Sequence, residues 1–151
     1  MKERIPWRGK IRVISIFKDG TKQIDELENL ITDAGKNLLR NFLDGTVTDG
    51  AIKYVAFGSD NTVPASGDTK LGNEFFRKQV TKQETGAAGE LTTTVYIAPY
   101  EANQQIEEIG WFAGAEATST KDSGVLIARV LYSKNKTELE SLQIERTDTI
   151  G

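Results

Sequence analysis

Three glutamates, Glu101, Glu107 and Glu108, lie close enough in sequence to act as paired carboxylates. In a glycosidase one such group is the acid and the other the nucleophile or base. Glu107 and Glu108 are adjacent, so on a strand they point to opposite faces. Solvation or pairing with a Lys or Arg is therefore the expected role. Asp60, Asn61 and Asp68 offer oxygens that suit a hard cation such as Ca²⁺, but without the alternating ligands, central Gly and late Glu of an EF-hand loop. Asp and Asn in such a stretch are expected to build turns. Gly86 and Gly89 lack the Gly-Lys-Ser or Gly-Lys-Thr of a phosphate loop. Trp7, Trp111 and Phe112 could stack on sugars. A core or subunit-interface role is expected for them, because aromatic residues dominate both settings, and Trp7, Arg8, Trp111 and Phe112 are the candidate subunit contacts. Glu74 and Arg77 flank Phe75 and Phe76, and are expected to form a structural ion pair.

The chain has no histidine and no cysteine. Serine–histidine and cysteine–histidine catalysis, disulfides, thiolate chemistry and cysteine-based zinc sites are all excluded. No catalytic residue, metal or cofactor is assigned. Nineteen basic residues against 22 acidic ones give a net charge of −3. That balance provides no basic footprint for nucleic acid. Lys2, Arg4, Arg8, Lys10 and Arg12 do crowd the start. Residues 1–10 are read as a basic arm, either solvated or reaching onto an acidic neighbour. No apolar run is long enough for a membrane helix, and the first residues carry no apolar core of a signal peptide. Synthesis and assembly in a cytoplasm are expected.

The elements that must position these residues are mostly strands. The segment 10–18 is β-branched, and Asp19-Gly20 supplies a hairpin turn to a return strand over 21–30. The acids Asp25, Glu26 and Glu28 weaken that return strand. Thr32 can cap a helix over 33–44, whose apolar stripe of Leu38, Leu39, Phe42 and Leu43 is expected to pack into the core. Gly45 stops it. Further strands are expected at 52–57, within 71–84, and at 91–98, 106–113 and 125–132. In the last stretch Leu142, Ile144 and Ile150 share one parity. Residues 59–70, 85–89 and 114–123 read as loops. The result is a single β-rich domain over 11–151: a mainly β fold, a β-sandwich of about seven or eight short strands with one α-helix.

Several of these stretches resemble a known family. Asn29-Leu30-Ile31-Thr32-Asp33-Ala34-Gly35 before an apolar helix is similar to the opening of small tail-fibre-like proteins of tailed bacteriophages. Tyr54-Val55-Ala56-Phe57-Gly58-Ser59 resembles their strand-then-glycine element. Pro64, Asp68-Thr69, Leu71, Glu74 and Arg77 match a Pro…Asp-Thr-x-Leu-x-x-Glu-x-x-Arg spacing. Glu108-Ile109-Gly110-Trp111-Phe112 resembles Glu-Ile-Gly-Leu-Phe with Trp in place of Leu, and 124–129 resembles Gly-x-Leu-x-Ala-Arg. The matches run in order from Asn29 to Arg129.

Similar elements occur in fibre N-terminal domains that dock onto a baseplate. The resemblance implies a non-enzymatic virion structural protein made in the bacterial host cytoplasm. Its partners would be tail or baseplate proteins, or the major capsid protein if it decorates the head. A homo-oligomer is expected, as a trimer by analogy with the family. The chain carries no heptads, no collagen-like repeat and no receptor-binding tip, so a whole fibre is not expected. A host-glycan-binding β-sandwich and a carboxylate hydrolase are the rival readings.

Overall fold

The structure, a computed structural model, describes residues 6–151. Lys2 and Arg4 lie outside the described residues. β1 (Trp7–Phe17) and β2 (Lys22–Ile31) form the first hairpin. In place of an arm ending at Lys10, the strand begins at Trp7, with Gly9 paired to both Asn29 and Asp148. The acids of β2 fit because their two parities meet different partners. Glu26 and Glu28 lie opposite Arg12 and Lys10. Asp25 faces the other way and accepts the Tyr132 hydroxyl at 2.8 Å. Burial, then that bond to a carboxylate, raises the Tyr132 pKa above its usual range.

The Thr32 hydroxyl accepts from Gly35 N at 2.9 Å and donates to Leu126 O at 2.5 Å. One side chain thus caps α1 (Asp33–Leu43) and ties it to the sheet. Gly45, just past the cap, sits at φ +83° and ends the helix. Strands follow as β3 (Ile52–Gly58), β4 (Glu74–Gln79), β5 (Lys82–Thr85), β6 (Glu90–Ile97), β7 (Gln105–Ala113), β8 (Val125–Asn135) and β9 (Glu140–Ile150). Among the described residues the count is nine, above the expected seven or eight. The stretch 71–84 contains two strands, because the chain turns a corner at 80–81.

All nine strands lie in one antiparallel sheet, ordered β4-β3-β7-β8-β2-β1-β9-β6-β5. The sheet curls until its halves face each other. At one corner β2 pairs first with β1 and then, through Leu30 and Ile31, with β8. At the opposite corner Val80 N donates to Lys53 O at 2.8 Å and Thr81 N to Thr94 O at 2.9 Å. That crossing carries the chain from β4 directly to β5. Strands that switch sheets at such corners are how a sandwich closes. Ile11, Val13, Val95 and Ile144 from one half pack with Val55, Phe57, Ile109 and Trp111 from the other.

A second, smaller core lies on the outer side of the β3-β7-β8 half. It contains Ala56, Leu71, Phe112, Ala117 and Leu126. The loops 59–73 and 114–124 contribute Leu71 and Ala117. Neighbouring residues on β7 thus serve two cores, Trp111 inside and Phe112 outside.

Lys78 of β4 reaches across to Glu101, in the turn after β6, at 2.6 Å. Burial pushes the Glu101 carboxyl up, but the Lys78 ammonium and the Ala98 N–H outweigh it, and the pKa falls below the ordinary value. A depressed folded pKa gives stability that is present above the unfolded pKa and is lost as pH falls through the folded one. Glu101→Gln is expected to unfold at lower urea than wild type at neutral pH. The gap should narrow between about pH 5 and pH 3. Parallel urea titrations across that range check this.

Candidate docking site

The charged residues of the fibre-like motifs form two buried clasps. In the first, Arg77 donates Nε and Nη2 to the two Glu74 oxygens at 2.7 and 2.8 Å. This is the ion pair expected from the sequence. Its spare Nη1 donates to Thr118 O at 2.9 Å and Ser123 O at 3.0 Å. The guanidinium also lies 4.4 Å from the Phe112 ring centroid. The pair therefore holds the loop 114–124 on the outer core.

In the second clasp Glu108, fully buried, accepts from Asp60 N and Gly72 N, both at 2.7 Å, and from Arg129 Nε at 3.3 Å. Arg129 donates onward to Thr62 O at 2.8 Å and Asp60 O at 3.1 Å. This clasp holds the loop 59–73. Gly58 is required beside it, since a Cβ there would lie 2.7 Å from both Asn73 O and the Glu108 carboxyl carbon.

The acids raised as possible catalysts are not brought together. Glu101 bonds Lys78 and Ala98 N, Glu107 bonds Gln105 and Ser133, and Glu108 belongs to its clasp. Asp60 accepts from the Thr62 hydroxyl and N–H, which lowers its pKa. Asp68 accepts from Ala65 N at 2.9 Å. Both act as turn builders, as expected.

Two of the four residues expected at a subunit interface require correction. Trp111 and Phe112 are both 0% exposed. Each is enclosed by a core within its own chain, so neither can meet a neighbour or stack on a sugar. Arg8 is exposed, and Trp7 is half-buried at the start of β1. The α1 stripe also departs from expectation. Leu38 is buried, yet Phe42 is 50% and Leu43 78% exposed. The helix docks closely only where Gly35 meets the Ile127 backbone. Further on Leu38 reaches Gly114, and Phe42 lies over Gly50. The last turn thus overhangs the open end of the sandwich.

That overhang roofs a cavity of about 520 Å³. Leu38, Leu39 and Phe42 line it from the helix, with Ile52, Leu91 and Ile150 from the strands. Trp7 and Asp148 are among its polar lining, with Thr48, Asp49 and Gln83. Arg146 donates Nε to both Asp148 oxygens at 3.0 and 2.9 Å and Nη2 to one at 2.7 Å. Trp7 Nε1 donates to the same carboxylate at 2.9 Å. The Arg146 guanidinium lies 5.1 Å from the Trp111 ring centroid. A legible signal for this pair existed: Arg146 and Asp148 share the inward parity of Leu142 and Ile144. Gly9 makes room for it, because a Cβ there would collide with the Arg146 guanidinium and with Asn29 Oδ1.

Glu108→Gln leaves the buried Arg129 with the half-buried Asp68 carboxylate, 3.6 Å away, as its counter-charge, and is expected to cost about 3 kcal/mol in urea unfolding. Limited proteolysis should then cut first within 59–73. Gly9→Ala is expected to cost about 1–3 kcal/mol through forced repacking around Arg146. Gly67→Ala, where nothing lies within 4 Å, should change stability by no more than about 0.5 kcal/mol.

No family model matches this chain, and neither does any curated protein or solved structure.

Proposed function

We propose that the chain is a non-enzymatic structural protein of a tailed-bacteriophage particle. It acts through protein–protein contacts, as a tail-fibre- or baseplate-type adaptor in preference to a head-decoration protein. The observation that carries this reading is the fate of the motif charges. Glu74, Arg77, Glu108 and Arg129, the charged ends of three fibre-like elements, are all engaged in holding the two loops against the sheet. They serve shape and not a substrate. The exposed apolar end of α1 beside an apolar cavity adds to it, since contiguous apolar surface marks contact sites. The glycan-binding reading loses its aromatic platform with Trp111 and Phe112 inside the protein.

A gold-labelled antibody against the chain, applied to intact particles and viewed by electron microscopy, tests the proposal. Label confined to the tail or baseplate is the expected result. Label over the head would replace the adaptor role with capsid decoration. Absence of label, with the epitope shown to be accessible, would overturn the virion assignment.

A further inference from the structure

The cavity under α1 lies between two strand edges. β4 pairs with β3 from Gly58 back to Tyr54. Past the Val80–Lys53 bond the chain leaves for β5, and Ile52 has no β4 neighbour. Across the gap, among the described residues, β5 pairs with β6 alone. The edges meet at 80–81 and diverge toward the mouth. Ile52 and Gln83 both line the cavity that fills the divergence.

We infer that this wedge accepts an extended segment of a partner protein as an added strand, with an apolar side chain seated in the cavity. The inference rests on the assembly reading and names how the partner is held. Gly86 N donates to Glu90 O at 3.1 Å, and the register pairs Glu84 with Thr92 and Lys82 with Thr94. Antiparallel bonding alternates, so the Gln83 and Thr85 backbone groups face the free side. Side-chain parity agrees: Gln83 lies in register with Thr93, and Thr93 with Arg146, on the inward face. Inward side chains of an added strand would therefore point at the cavity. Strand addition draws affinity from main-chain bonds and specificity from pockets for alternate side chains.

Other occupants fit less well. A short, charged edge strand is also how proteins discourage pairing, and Lys82 and Glu84 do pair with each other at 2.8 Å. A merely protected edge gives no reason for an apolar cavity alongside it. A small apolar molecule would fill the cavity and leave the edge unpaired. A second copy pairing through its own β5 would bring Lys-Gln-Glu-Thr, which has no apolar side chain for the cavity.

The test uses the full chain and a panel of blocked hexapeptides in which Thr alternates with Val, Leu or Phe. Trp7 lines the cavity, so tryptophan fluorescence follows binding, and amide hydrogen exchange follows the edge. At least one peptide is expected to bind one-to-one and to slow exchange at Gln83 and Thr85 about tenfold or more. Thr85→Pro removes a donor from the free side, where proline is tolerated. It should weaken binding about tenfold or more, with the fold retained by circular dichroism. Three results would overturn the inference. One is no binding by any peptide at about 1 mM. Another is binding that leaves both amides unprotected and survives Thr85→Pro, the signature of a side-chain or small-molecule pocket. The third is a dimer, seen by light scattering, that protects the same amides without peptide. Because the purified chain is used, the outcome is independent of where gold label falls on a particle.

Discussion

A carboxylate removed from water must be met by donors, and Glu108 is met by three loop amides, those of Asp60, Gly72 and Asn73, and an arginine. This requirement organises the outer side of the molecule. Loop 59–73 has little apolar content beyond Leu71 with which to hold itself. Its N–H groups at Asp60, Gly72 and Asn73 bond Glu108 instead, its carbonyls at Asp60 and Thr62 bond Arg129, and Ser66 O accepts from Asp33 N at the start of α1. Glu74 and Arg77 do the same for 114–124. Each clasp links strand residues to loop backbone, so the loops take a defined shape without regular secondary structure. The outer core of Leu71, Phe112, Ala117 and Leu126 forms beneath them.

The inner side follows a related logic with a different outcome. Arg146 and Asp148 stand in register with β1 at Ile11 and Gly9. The glycine leaves room for the guanidinium, and Trp7 completes the carboxylate's bonding. This polar group occupies the end of the sandwich where an apolar plug would otherwise close it. α1 covers that end only in part, because its close approach depends on Gly35 at the helix start. An apolar cavity and an exposed Phe42 and Leu43 result. Among the described residues the loops are thus secured and the mouth is left open, as the proposed docking of a partner strand requires.

Much of the fold is legible in local sequence. Period-two alternation marks 91–98, the β-branched run marks 125–132, and Thr32 with Gly45 brackets the helix. Glu74 and Arg77 are readable as a pair because large apolar residues flank them. What escapes is non-local. Glu108 looks like a solvated acid until 59–73 folds over it. Trp111 and Phe112 look like contact residues because nothing local reveals that both faces of β7 are covered. The helix stripe has core periodicity, yet the sheet ends before the helix does. Arg146 and Asp148 carry the inward parity, but charge argues against burial unless the partner on the same face is counted. The corner at 80–81 leaves no proline or glycine in the sequence to mark it.

Amide hydrogen exchange on the native chain and on Arg129→Met decides whether buried charge pairs, and not apolar packing alone, hold the two loops. If the charge pairs hold them, the Asp60 and Gly72 amides exchange about as slowly as those of β7 in the native chain, and Arg129→Met releases 59–73 while 114–124 keeps its protection. Exchange at the rate of free peptide for Asp60 and Gly72 in the native chain, or simultaneous loss of both loops in the variant, would contradict it.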